Sequence, residues 1–421
     1  MGVQQKESVI ITSSTTIPSV LSSLVSDNSF EHLKWYECWV DSQLAIEPSE
    51  LFYILPDYDP KLDQRWTNSF STLWQEVCQY MSSNVSPSIE SIVTHLSDIG
   101  VFHLPAKSEA LISAKNLVFA VIGWQTMLYQ PDIRSCPPIQ VSIADDTNGY
   151  KGQARVSLKQ NHIACKKPIH EFLLGFGMLL PPRNFSILES PEDKADFNSL
   201  KTTTPDTFNL SLLTSLGEVT IEWTESLACH LEFDKYSKTL FIFRYPSFCL
   251  ANILLENSSL SRQSMIHACA APETGTWQWA TPQDITQMLH ETILSYRLLF
   301  SQTKASRRLF RRLSPFDRIP EKGWDKLLLE LCGRKRCRNI ADIAQREHYD
   351  LPHDFPIYRG RLVVLLRHLS TRRPRTWRQL WQDKHDSASW LTFWTVLIFG
   401  GLGIILAALQ TALQIVQVLQ H

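Results

Sequence analysis

Two groups of residues in this chain have the types and spacing to do chemistry. Cys332, Cys337, His348 and His353 form a C-x4-C-x10-H-x4-H array. Two thiolates and two imidazoles can close a tetrahedral zinc site, and the arginines around them could touch phosphates. The loop between the pairs is shorter than the roughly twelve residues of a zinc finger. Pro352, between the histidines, would break the helix that normally presents them. The second group is His230, Glu232 and Asp234, which alternate along the chain. Alternate residues of a strand share one face, and such a face can ligate a metal or hold an acid–base pair. The solvent-facing side of an antiparallel strand gives the same pattern, with Cys229, Leu231 and Phe233 turned inward. Both readings stand at this point.

Other signals are weaker. Gly175-Phe176-Gly177 is too short for a dinucleotide fingerprint and lies between apolar runs, which points to packing or a turn. The chain has no phosphate-binding P-loop, no G-x-S-x-G elbow and no H-E-x-x-H. No cofactor is predicted and no reaction is named.

The elements around these residues read as a mainly helical α+β body with short antiparallel hairpins. Trp66, Phe70, Leu73, Trp74, Val77 and Met81 recur at helical spacing. A second helix has Ser86 as N-cap, Pro87 at its first position, an apolar row of Ile89, Ile92, Val93 and Leu96, and Gly100 as its stop. A third runs over residues 108–129. Residues 139–143 and 154–158, around an Asp-Asp-Thr-Asn-Gly turn at 145–149, read as a hairpin. Residues 219–233 and 239–243 read as strands around a turn at 235–238. Thr281 caps a long helix, with Pro282 first and Asp284 third, whose apolar face continues into the basic stretch 307–312. Along the chain this gives a disordered Ser/Thr-rich tail (1–28), an acidic globular body (29–300) with a flexible loop near 184–209, a basic juxtamembrane region (301–386) and a transmembrane anchor (387–421).

Several segments resemble a family of uncharacterised filamentous-fungal proteins. They are residues 175–185 (Gly-Phe-Gly-Met-Leu-Leu-Pro-Pro-Arg-Asn-Phe), 223–234 (Trp-Thr-Glu-Ser-Leu-Ala-Cys-His-Leu-Glu-Phe-Asp) and 243–249 (Phe-Arg-Tyr-Pro-Ser-Phe-Cys). Residues 380–384 (Leu-Trp-Gln-Asp-Lys), with Trp390 and Phe393-Trp394, resemble that family's close. The resemblance covers most of residues 110–421. It implies a fungal source and a membrane-anchored product, and it brings no activity with it.

Charge is distributed in blocks. The net charge of -1 conceals 21 Lys and Arg against 10 Asp and Glu in residues 301–386, a net of +11, while residues 387–421 carry none. With 44% hydrophobic and 20% charged residues the composition is that of a globular protein. The nine cysteines include no C-x-x-C pair and predict reduced, packed thiols. Residues 1–28 contain no apolar signal core.

The C-terminal run reads as a membrane anchor. Residues 391–409 are uncharged, with only Thr392 and Thr395 polar, and cover roughly 28 Å as a helix, close to a bilayer's hydrocarbon thickness. Trp390 and Trp394 sit where interfacial aromatics belong. Arg372, Arg373, Arg375, Arg378 and Lys384, interleaved with Trp377 and Trp381, could lie flat on anionic headgroups. The basic flank predicts a single-pass protein with a cytoplasmic N terminus. About ten residues follow the apolar run, which is the tail-anchored arrangement, and the absence of a basic cluster there favours the endoplasmic reticulum. Gly400, Gly403 and Ala407 share a helical face through which a homodimer could pack. The expected partners are the bilayer with its anionic headgroups and an unidentified protein, with no specific nucleic acid. The functional expectation is a membrane-tethered interaction or regulatory protein. The alternative is a membrane-associated enzyme or accessory factor of fungal specialised metabolism.

Overall fold

Caps and apolar spacing decide where the helices begin. The computed structural model describes residues 33–62, 64–104, 108–144, 157–184, 190–257, 264–272, 278–333, 346–372 and 387–419. The Ser/Thr-rich tail therefore lies outside the described residues. Helix α1 (Lys34–Ile46) buries Trp35, Tyr36, Trp39, Val40 and Leu44. Helix α2 (Asn68–Ser83) is capped by Thr67, whose side chain accepts from Phe70 N–H, and it buries the expected row from Phe70 to Met81. Helix α3 (Ile89–Asp98) starts later than Pro87 suggested. Ser88 is the cap, because Ser88 and Ser91 satisfy each other's backbone N–H groups reciprocally. Gly100, at φ +79°, ends it. Helix α4 (Ser108–Thr126) stops short of Tyr129, where Met127 turns to φ +49°.

Strand β1 (Gln140–Ser142) pairs antiparallel with β2 (Lys159–Asn161), Val141 opposite Gln160. The expected partner, 154–158, precedes this pairing, and residues 145–156 lie outside the described residues. After α5 (Ile169–Leu174) comes the stretch expected as a loop, which instead carries α6 (Pro191–Ser199) and β3 (Thr202–Thr203) and ends at Asn209, the cap of α7 (Leu210–Ser215). Its Ser190-Pro191-Glu192-Asp193 is itself a helix start: Ser190 caps, proline follows, and acids fill the first turn.

Strands β4 (Thr220–Thr224), β5 (Phe233–Asp234) and β6 (Thr239–Phe243) make a three-stranded sheet in the order β4-β6-β5. The β5–β6 pair is the expected antiparallel hairpin, but β4 runs parallel to β6. The long strand 219–233 does not form, because the chain leaves the sheet at Glu225. All five residues of β6 are buried, as the central strand requires. Helix α8 (Pro246–Asn257) packs against α9 (Pro282–Tyr296), which has the predicted Thr281–Asp284 capping box. A π-helical turn, Arg297–Ser301, separates α9 from α10 (Lys304–Leu313), so the two are not one helix; Thr303 caps the restart. Then follow α11 (Lys326–Cys332), β7 (Tyr349–Asp350, antiparallel to β3), α12 (Leu351–Asp354), α13 (Arg359–Ser370) and α14 (Ser387–Leu419).

One hydrophobic cluster runs from Leu33 to Leu369 and includes Phe310, Leu328, Phe355 and Leu365. Helices α10 to α13, expected as a juxtamembrane strip, therefore complete the core. Their arginines account for this. Arg359 donates to Leu200 O (3.4 Å) and Phe197 O and lies 4.1 Å over the Phe197 ring. Arg367 meets Glu192, Asp193 (3.4 Å) and Asp196 (3.1 Å). Two turns apart on α13, they clamp α6. Among the described helices only α14 stays outside. Residues Trp394–Ile415 span 22 residues at a mean hydropathy of 2.2 with none of that window buried, and this is the one helix among the described residues long and apolar enough to cross a membrane.

Candidate functional site

The parallel pair β4/β6 places two carboxyl strand ends side by side, the position where parallel sheets hold ligands. The next residues are Glu225 and Arg244. The Glu225 carboxylate accepts from Trp39 Nε1 (2.8 Å), Gln130 Nε2 (2.8 Å) and Gln43 Nε2 (3.4 Å), with Arg244 Nη1 at 3.7 Å. Arg244 also donates to Trp223 O at 3.1 Å. Three hydrogen-bond donors and one ion-pair partner thus form a carboxylate cradle, and the chain's own Glu225 fills it. The cradle fastens α1 to the sheet.

Beyond Glu225 the chain crosses to β5. Ser226 Oγ donates to Leu128 O (2.6 Å), and Leu227 N–H donates to Met127 O (2.7 Å). A 3-10 turn, Leu227–Cys229, follows. Leu231 then sits at φ +62°, which a leucine adopts only at a cost of about 1–2 kcal/mol. His230, Glu232 and Asp234 therefore do not alternate on one strand face. His230 is 0% and Glu232 8% exposed, and only Asp234 belongs to a strand. Both earlier readings of the trio fail on this point, the metal-binding face and the solvent-facing one alike.

The bonding pattern defines the protonation of His230. Its Nδ1 accepts from Phe243 N–H (3.2 Å), so the proton must be on Nε2, 2.8 Å from Ser295 Oγ. Ser295 Oγ in turn donates to Thr292 O (2.7 Å). The imidazole thus donates a hydrogen bond to the serine, whereas a nucleophile-activating base must accept one from it. Burial, then the Arg361 charge, drives the His230 pKa well below its ordinary value, so the ring stays neutral. Arg361 closes the site: it pairs with Glu232 (2.8 Å), donates to Ala228 O (3.0 Å) and His230 O, and lies 5.2 Å over the Tyr358 ring. Asp234 accepts from Tyr236 N–H (2.9 Å) and Ser237 Oγ (2.7 Å), capping the β5–β6 turn.

Two further carboxylates lie buried. Glu291 accepts from Ile357 N–H (2.9 and 3.1 Å), Tyr358 N–H (2.7 Å) and Gln287 (3.2 Å), anchoring the approach to α13. Burial pushes its pKa up to about 8 against the pull of those N–H groups. Asp325 accepts from Ser247 N–H and from Leu327 N–H, both at 2.8 Å, so one side chain caps α8 and α11 together, and burial pushes its pKa up to about 7. These groups, with Arg361 and Ser295, were not picked out in the sequence. The available signal was polar residues (Glu291, Thr292, Ser295) set within the apolar stripe of α9.

The cysteine–histidine array does not come together among the described residues. Cys332 is fully buried in α11, whereas His348 and His353 are exposed and Cys337 lies outside the described residues. Among the described residues no group of three or more His, Cys, Asp or Glu could hold a metal ion. In the glycine motif, a Cβ on Gly175 would collide with the Gln160 side chain, and Gly177 turns at φ +114°, so packing and turn both apply. Of the interface residues, Arg372 closes α13, Trp390 and Trp394 lie on α14, and Arg373, Arg375, Trp377, Arg378 and Trp381 lie outside the described residues. A Cβ on Gly400 or Gly403 would meet nothing within 4 Å. No protein-family model, curated protein or solved structure matches the chain.

Proposed function

We propose that this is a single-pass membrane protein whose α+β body is held at the cytoplasmic face of a bilayer by α14 and works there as an interaction or regulatory module. The observation that carries this is the contrast between a closed core and a bare apolar helix. On α14, Val396, Leu397, Ile398, Phe399, Leu402, Ile404, Ile405, Leu406, Leu409, Leu413 and Ile415 are all exposed. These side chains are 42–73% exposed, and fully burying one is worth roughly 1.5–3 kcal/mol. The body leaves that surface uncovered, which supports a lipid environment for α14. The basic residues Arg372, Arg373, Arg375, Arg378 and Lys384 precede it, which supports a cytoplasmic body and contact with anionic headgroups. Gly400, Gly403 and Ala407 offer a face for a second copy. The endoplasmic reticulum is the proposed membrane, and the fungal affiliation rests on the segments quoted above. In the alternative, an enzyme or accessory factor of specialised metabolism, a side chain must be available to react; His230, Glu232, Asp234 and Glu225 are each engaged in holding the fold.

Glycosylation tests the orientation. Asn84, Asn184, Asn209 and Asn257 begin sequons; Asn84 and Asn184 are exposed, that of Asn84 weakened by Pro87, whereas Asn209 is buried with its Nδ2 donating to Pro205 O (2.8 Å) and cannot report. With a sequon tag appended after His421 and expression in eukaryotic cells, the tag should acquire a glycan while Asn84 and Asn184 stay bare. A sugar on either asparagine overturns the orientation, and a bare tag overturns insertion at the endoplasmic reticulum.

A further inference from the structure

We propose that α10 is a second, electrostatic contact with an anionic bilayer surface, made by Lys304, Arg308, Arg311 and Arg312. This rests on the membrane reading above and adds to it the lipid class and the residues. At 3.6 residues per turn the four cations fall within an arc of roughly 100°. All four are exposed, and none forms an ion pair among the described residues. The opposite side of the helix is fixed in place. Ser306 and Phe310 are buried. Ser306 Oγ donates to Asn209 Oδ1 (3.1 Å) and accepts from Ser211 N–H (3.2 Å). The Phe310 ring lies 5.5 Å from Phe300 and 6.1 Å from Trp223. The helix thus presents a rigid cationic face.

That face opposes the helix's own stability. Lys304–Arg308 and Arg308–Arg312 are like-charge pairs at i,i+4, and Lys304 lies in the first turn, against the helix dipole, whereas Arg311 and Arg312, in the last turn, complement it; the mutual repulsion is what remains unrelieved. No acidic residue occurs on α10 to offset them. The contrast with the other arginines is informative: those of α13 are consumed by carboxylates and carbonyls, and Arg307 on α10 itself donates to Ser301 O. Headgroup phosphates and the serine carboxylate of phosphatidylserine supply the missing counter-charge, and α14 keeps the body within reach of them. Nucleic acid carries similar charge, but nothing on this chain confines it there.

The test is amide hydrogen exchange of residues 304–313 in the full chain, reconstituted in nanodiscs of phosphatidylcholine alone or mixed with phosphatidylserine. Each cation brought to an anionic surface gains about fivefold in affinity. Exchange should therefore slow about fivefold or more with phosphatidylserine at low salt, and the difference should vanish at high salt. It should vanish likewise in R308Q/R311Q/R312Q, whose exposed positions leave the fold intact. Equal exchange in the two lipids overturns the proposal, as does protection by a single-stranded RNA probe with none from phosphatidylserine. A chain that fails to enter the discs refutes the anchor instead; phosphatidylserine vesicles added to that free chain would still decide α10.

Discussion

Arg361→Ala is expected to lower folding stability by about 3–5 kcal/mol, the cost of leaving one member of a buried ion pair behind. Arg361 and Glu232 meet at 2.8 Å with side chains 15% and 11% exposed, so solvent screens them little. The same guanidinium satisfies the carbonyls of Ala228 and His230, next to the left-handed Leu231. Its loss removes what holds the strained crossover as well as the charge partner. Adding Glu232→Gln should recover part of the loss, because the stranded charge is then gone. Urea unfolding of the full chain in detergent, followed by tryptophan fluorescence, gives the values. Single and double variants within 0.5 kcal/mol of the parent (about the error of such work) would show that the crossover is not structural, and would restore His230 and Glu232 as candidates for chemistry.

The pH dependence of stability should have two limbs of opposite sign. Glu291 has its pKa pushed from 4.5 up to about 8, so the folded chain binds that proton more tightly than the unfolded chain. Its contribution is complete below about 4.5 and is lost as pH rises through 8. Asp325 and Glu47, both pushed up to about 7, act in the same direction. His267 is lowered from 6.5 to about 4 by burial, consistent with its bonds to Ser264 Oγ (2.6 Å) and Thr286 Oγ1 (2.9 Å). His230 is lowered as well. The histidine contribution is complete above about 6.5 and is lost as pH falls towards 4. The fold should therefore be most stable in mildly acidic solution and weaken on either side. Glu291→Gln, which cannot ionise, should flatten the limb between pH 5.5 and 8. With roughly 1–2 °C in Tm per kcal/mol for a body of this size, the difference in slope amounts to a few degrees. Parallel Tm profiles for parent and variant would contradict this role of Glu291.

Some of the structure could be read directly from local chemistry. The Thr281–Asp284 capping box and the apolar face of α2 from Phe70 to Met81 involve residues within a few turns of one another, and both form as expected; the Thr67 cap of α2 is an addition of the structure. The start of α3 was displaced by two residues because Pro87 favoured Ser86, while the reciprocal bond to Ser91 selects Ser88. The parallel register of β4 was out of reach. It depends on Ser226 bonding to Leu128, 98 residues earlier, and on a positive φ at Leu231 that no local preference announces. The basic segment misled because charge was summed over a window. Register distinguishes the arginines of α13, which face α6 and the crossover, from Arg308, Arg311 and Arg312 of α10, which face solvent. The alternating trio misled because a polar alternation is compatible with any strand; here His230 is held by Ser295, which is far away in sequence.

Helix α14 should partition into lipid. Membranes from cells expressing the full chain should retain it after alkaline carbonate washing and release it only with detergent, whereas a chain ending at residue 386 should wash off. Recovery of the intact full chain in the carbonate supernatant would contradict the account.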